Sequence, residues 1–94
     1  MYILRIEHPV PDFAAWKKAF DNDPLGRRRS GVKRYRVLRP LNDPGFVMVD
    51  LEFDTLAQAE DTHARLRQLW GRVEGTIINQ PRSRLVEVAE NVEL

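Results

Sequence analysis

The stretch FVMVDLEF, residues 46–53, decides the fold. Val47, Val49, Leu51 and Phe53 fall on one side and Met48, Asp50 and Glu52 on the other, the alternation of a strand with one buried face. Upstream, Asn42-Asp43-Pro44-Gly45 is a turn-forming cluster, and Val32–Arg39 before it reads as the antiparallel partner strand. A hairpin centred on Asp43 sets Arg36 opposite Asp50 and Arg34 opposite Glu52. Downstream, Thr55 opens a T-x-x-Q capping box with Gln58. Leu56, Ala59, His63, Leu66, Trp70 and Val73 follow at spacings of three and four, which predicts one face of a helix of about five turns. Gly75 is placed to close that helix.

The flanks complete the pattern. Tyr2–His8 alternates as a strand, and Pro9 and Pro11, which offer no N–H, stop its ladder. Asp12 can cap a helix whose Phe13, Trp16 and Phe20 lie on one stripe, ended by Asp23-Pro24 and Gly26. Arg84–Glu90 alternates again. The order βαββαβ, with right-handed crossovers, gives an α+β, ferredoxin-like fold: a four-stranded antiparallel sheet of order 4-1-3-2 with both helices on one face. Residues 1–94 form a single domain, since a second would lack the residues for its own core.

The two faces of the sheet differ. Leu4, Ile6, Tyr35, Val37, Val86 and Val88, with the apolar side of residues 46–53, are expected under the helices. The open face is expected to carry Ile3, Arg5 and Glu7, then Arg34 and Arg36, then Met48, Asp50 and Glu52, then Leu85 and Glu87. Opposite charges facing across strands stabilise a sheet, so this lattice reads as self-neutralising. Two such faces could pack in a symmetric homodimer, burying Ile3, Met48 and Leu85 against the partner. The tail Asn91–Leu94 could add a strand to the partner's sheet.

Charge and composition exclude several classes. The net charge of +1 hides +5 on residues 1–47 and −4 on residues 48–94. Seven of the thirteen residues from Arg27 to Arg39 are basic and none is acidic. Arg34 and Arg36 have cross-strand acidic partners, however, and Asp50 and Glu52 would repel phosphates, so nucleic acid is not an expected partner. Arg27–Arg29 remain as a basic loop, either solvated or attractive to an anionic ligand. With no cysteine there is no disulfide and no thiolate chemistry. A lone E-x-x-H, Glu60 to His63, falls short of the paired motifs of a di-iron site, so no metal and no cofactor are expected. The opening MYILRIEHPV carries Arg5 and Pro9 and reads as neither signal peptide nor membrane span. The expected compartment is the cytoplasm, with no membrane partner.

The βαββαβ order, the F-x-x-W-x-x-x-F stripe of Phe13, Trp16 and Phe20, and the long second helix with Trp70 together resemble the dimeric α+β barrel proteins. Within them the chain is most similar, over its whole length, to the antibiotic-biosynthesis-monooxygenase-like group. That resemblance implies a homodimer whose two sheets form a barrel, with a pocket between helices and sheet. Enzymes of the group often use an Asn on the first strand and a Trp on the second helix; Trp70 matches the latter, while the first strand has no Asn and ends in His8. Trp16, Tyr35 and Trp70 are the candidate pocket residues, and His8 and His63 the candidate acid–base groups. The functional expectation is a homodimer that holds a small aromatic or apolar molecule, or none. The alternative is a cofactor-independent monooxygenase. Whether the helix–sheet space is a cavity or a filled core separates them.

Overall fold

The structure, a computed structural model, describes residues 1–73 and 79–94. Its elements are β1 (Tyr2–Pro9), α1 (Phe13–Asp21), β2 (Val32–Leu38), β3 (Phe46–Phe53), α2 (Leu56–Val73) and β4 (Arg82–Glu87). They form one antiparallel sheet in the order β2-β3-β1-β4, the ferredoxin-like βαββαβ arrangement. The position expected to close α2, Gly75, lies outside the described residues.

Local chemistry sets the element ends. Asp12 caps α1 by accepting the Ala14 N–H at 3.0 Å. Past the last turn, Asp23 takes a left-handed φ of 54° and its N–H returns to the Phe20 carbonyl, before Pro24 prevents continuation. Thr55 Oγ1 accepts the Gln58 N–H at 3.2 Å, which makes half of the capping box. The reciprocal half is missing because the Gln58 side chain lies over Gly31. A Cβ at Gly31 would stand 2.6 Å from Gln58 Cδ, and its φ of +97° is one that glycine adopts without strain.

The central pair is β1–β3, eight residues in register from Tyr2 opposite Phe53 to Pro9 opposite Phe46. Leu4, Val47 and Phe53 on this pair are fully buried beneath the helices, with Val49, Leu51 and Ile6 beside them. Burial of such side chains supplies most of the stability of a domain this small, about 1.5–3 kcal/mol each.

The open face departs from expectation on β4. That strand starts at Arg82, and its register puts Leu85 opposite Leu4 and Ser83 opposite Ile6, both on the helix side. Leu85 and Glu87 therefore belong to the helix face, and Val86, opposite Ile3, to the open one. Apolar residues stand on both sides of β4, so alternation alone cannot choose a face; the ladder with β1 does. The open face of β4 is consequently basic. Arg82 lies opposite Glu7, and Arg84 lies opposite Arg5.

Across the hairpin the pairs fall where the turn places them, Arg36 opposite Asp50 and Arg34 opposite Glu52, with ion-pair distances of 3.3 Å in both. Asp50 is the hub. Arg5 Nε reaches it at 3.0 Å from β1 and Arg36 from β2. Its side chain is 4% exposed, whereas those of Arg5 and Arg36 are 59% and 66% exposed. Only the carboxylate is desolvated, and its partners keep most of their hydration. In Asp50→Asn, Arg5 and Arg36 would lose their shared counter-charge, with Arg84 opposite Arg5. A loss of about 1.5–3 kcal/mol is expected by urea denaturation at low salt, shrinking when 0.5 M NaCl screens the repulsion.

Candidate functional site: a cavity between helices and sheet

α1 and α2 do not close over the sheet. Between them lies a cavity of about 160 Å³, open at one side. About 10–15 Å³ suffices for one water, so this space takes a molecule of several ring atoms. Ile6, Val49 and Leu51 form its floor; Trp16, Ala19 and Phe20 of α1 form one wall. Leu66, Leu69 and Trp70 of α2 form the other, and the segment from Asp23 to Ser30 forms the mouth.

The walls are aromatic because the α1 stripe points inward. Trp16 stacks on Phe20 at 5.0 Å between ring centres and meets the His8 ring edge-on at 6.0 Å. Phe20 in turn meets Tyr35 edge-on at 5.3 Å. The Arg27 guanidinium lies 4.0 Å over the Phe20 ring and 4.8 Å from Tyr35, and it donates to the Phe20 carbonyl at 2.8 Å. Arg39 covers the outer aromatic, Phe13, at 4.0 Å.

Three buried polar residues line this apolar space, His8, Thr62 and Ser30. The Ser30 hydroxyl is already engaged, donating to the Leu25 carbonyl at 3.2 Å and accepting from Arg65 at 2.8 Å. His8 ends the inward row of β1 and is 2% exposed. Its Nδ1 lies 3.1 Å from the Pro9 carbonyl, which can only accept, so Nδ1 carries the proton and Nε2 keeps a lone pair. Burial pushes the His8 pKa down, only partly opposed by that hydrogen bond, so the ring is neutral at pH 7. Thr62, also 2% exposed, has a buried hydroxyl with no hydrogen-bond partner among the described residues.

The candidate residues separate. His8, Trp16 and Trp70 line the one cavity. Tyr35 sits outside it, 43% exposed on edge strand β2 and in contact with Phe20. His63 is not in the lining: its ring meets Trp70 edge-on at 6.4 Å, while its Nε2 is 2.5 Å from Ser83 Oγ on β4 and Arg67 lies 3.3 Å from the same nitrogen. Burial, and secondarily the Arg67 charge, lowers the His63 pKa. Of the residues singled out in the sequence, the cavity brings together His8, Trp16 and Trp70, while His63 touches Trp70 from outside the lining and Tyr35 touches Phe20. One residue along a helix is a 100° rotation, which turns position 62 toward the cavity and position 63 toward β4. Thr62 has no place among the residues singled out in the sequence, and Arg27 has one only as part of the basic loop Arg27–Arg29. The available signal for Thr62 was its place three residues after Ala59 and four before Leu66, a polar residue inside an apolar stripe.

No family model matches the chain, and no curated protein matches its sequence. Solved structures do match over nearly the full length. A candidate antibiotic biosynthesis monooxygenase from Deinococcus radiodurans superposes with a TM-score of 0.79 at 16% identity, covering 100% of this chain and 98% of that one. An MhuD variant with two manganese protoporphyrin IX molecules bound per active site gives 0.72 at 15% identity, covering 99% of each chain by the same order. A dimeric ferredoxin-like protein from an uncultured marine organism gives 0.68 at 14% identity, covering 97% of each. The neighbours of this fold thus include monooxygenase-like and dimeric ferredoxin-like proteins. Identities this low establish a shared fold, and chemistry has to be argued from the site.

Two buried neutral histidines make stability pH-dependent. Their folded pKa values lie below the unfolded value of 6.5, so the unfolded chain binds more protons once the pH falls beneath that value. Their contribution is complete above about pH 7.5 and is lost progressively as the pH falls through 6.5 toward the folded pKa values. Thermal melts between pH 8 and pH 5 should show this fall, and His8→Gln should have the shallower slope.

Proposed function

We propose that this protein binds a small, flat, largely apolar molecule in the cavity between α1, α2 and the sheet, and that it does so as a homodimer. The cavity itself carries the reading: aromatic walls, an apolar floor, and the buried His8 and Thr62, each with hydrogen-bonding capacity to spare. Trp16 and Trp70 supply stacking surfaces. His8 Nε2 supplies an acceptor and the Thr62 hydroxyl a donor, which would orient a ring bearing one or two polar substituents. The porphyrin held in one neighbour's active site supports a planar ligand for this fold.

The dimer rests on the uncovered face of the sheet. Ile3, Met48 and Val86 are half-buried there, set among the paired charges around Asp50. Two faces of this kind would complete each other's burial, and a dimeric neighbour of the same fold supports the arrangement. Leu85 takes no part in this contact, since it lies on the helix side.

His8 favours a second reading, a cofactor-independent monooxygenase. A neutral imidazole with a free lone pair beside a stacked aromatic could take a proton from the ligand, leaving an electron-rich anion able to react with dioxygen itself. In this reading the reducing electrons come from the ligand.

Native mass spectrometry tests both parts of the proposal. A species at twice the 11.0 kDa chain mass is expected, with added mass when a ligand is retained. Ala19→Trp, which fills the cavity from α1, should keep the dimer and lose ligand binding at least tenfold by fluorescence titration. Unchanged binding in that variant would remove the cavity as the site.

A further inference from the structure

A second depression, about 320 Å³, adjoins the mouth of the cavity on the outer side of β2. Asp23 and Arg27 line both spaces, so the two adjoin at these side chains. The characters of the two spaces are opposite. The cavity is walled by aromatic and aliphatic groups, whereas the depression is rimmed by Arg27, Arg28, Lys33 and Arg34 with Asp23 as its one carboxylate. Arg27 is held at the junction by its stacking on Phe20 and by Asp23 at 3.5 Å. Lys33 and Arg34 each hold one acid, Asp54 at 3.4 Å and Glu52 at 3.3 Å. Arg28 has no ion-pair partner among the described residues.

We infer that the ligand is an amphipathic anion, with its flat apolar body in the cavity and a carboxylate, sulfonate or phosphate group outside, among Arg27, Arg28 and Lys33. This rests on the cavity reading above and narrows it to a ligand class. A neutral apolar ligand would make no use of a cationic rim, whereas an anion at the mouth is attracted by several cations and can take a charge-assisted hydrogen bond from Arg27. The Nε and Nη1 of that side chain are turned to Asp23 and the Phe20 carbonyl, and its Nη2 has no protein partner among the described residues. The basic run from Arg27 to Lys33 thus acts at the entrance of a cavity and not across the sheet.

Two dyes that share one ring system test it: 8-anilinonaphthalene-1-sulfonate, which is anionic, and N-phenyl-1-naphthylamine, which lacks the sulfonate. By fluorescence titration of the full chain at low salt, the sulfonate should bind about tenfold or more tightly than the amine, with the preference shrinking in 0.5 M NaCl. Arg28→Gln combined with Lys33→Gln should weaken the sulfonate about fivefold to tenfold and leave the amine unchanged; both positions are exposed, and circular dichroism confirms folding. Equal affinity for the two dyes, or equal weakening of both by the double variant, would overturn the anionic inference while the cavity reading stands. Failure of both dyes to bind, or binding that survives Ala19→Trp, would overturn the two together.

Discussion

Everything in this molecule is referenced to the antiparallel register of β1 and β3. Tyr2 opposite Phe53 fixes the remaining seven pairs, and with them both faces of the sheet. On one side it aligns Leu4 with Leu51 and Ile6 with Val49, the layer on which the helices rest. On the other it brings Arg5 to Asp50. A slip of one residue would exchange the two sides, burying arginines under the helices and exposing the core, at a cost no domain of this size could meet. The alternation of Phe46–Phe53 therefore acts as a constraint on the whole chain.

The cavity is a consequence of what covers that layer. α1 presents a narrow aromatic stripe of Phe13, Trp16 and Phe20, whose rings stack on one another along the helix. α2 presents Leu66, Leu69 and Trp70 from the far side. A row of large aromatic rings on α1 facing two leucines and a tryptophan on α2 leaves a slot between the helices. Protein interiors are normally packed to crystal-like density, so an open apolar slot of this size invites a ligand. The fold by itself hosts varied chemistries, and His8, Thr62 and the Arg27 mouth give this chain its particular character.

Legibility followed local pattern strength. β3 and the α1 stripe were readable because a period of two, or of three and four, admits one solution when only one side is apolar. β4 was not. Leu85 and Val86 are adjacent and both apolar, so the choice of face waited for the ladder with β1, and the open face proved basic at Arg82 and Arg84. His63 was read with Leu66 and Trp70, yet both Thr62 and His63 are buried, because α2 packs over β1 and β3 on one flank and meets β4 on another. A single stripe in the sequence became two directions in space.

The sequence alone determined the strand and helix order and the hairpin pairs Arg34–Glu52 and Arg36–Asp50. Each of these follows from periodicity and turn chemistry acting within a few residues of the chain. Tertiary structure decided that the helix–sheet space is open, that His8 meets Trp16 in a lining shared with Trp70 while the polar contacts of His63 go to Ser83, and that Arg27 stands at the mouth. These depend on distances between elements far apart in the chain, and on how completely large side chains fill the volume between them. No local pattern encodes either quantity.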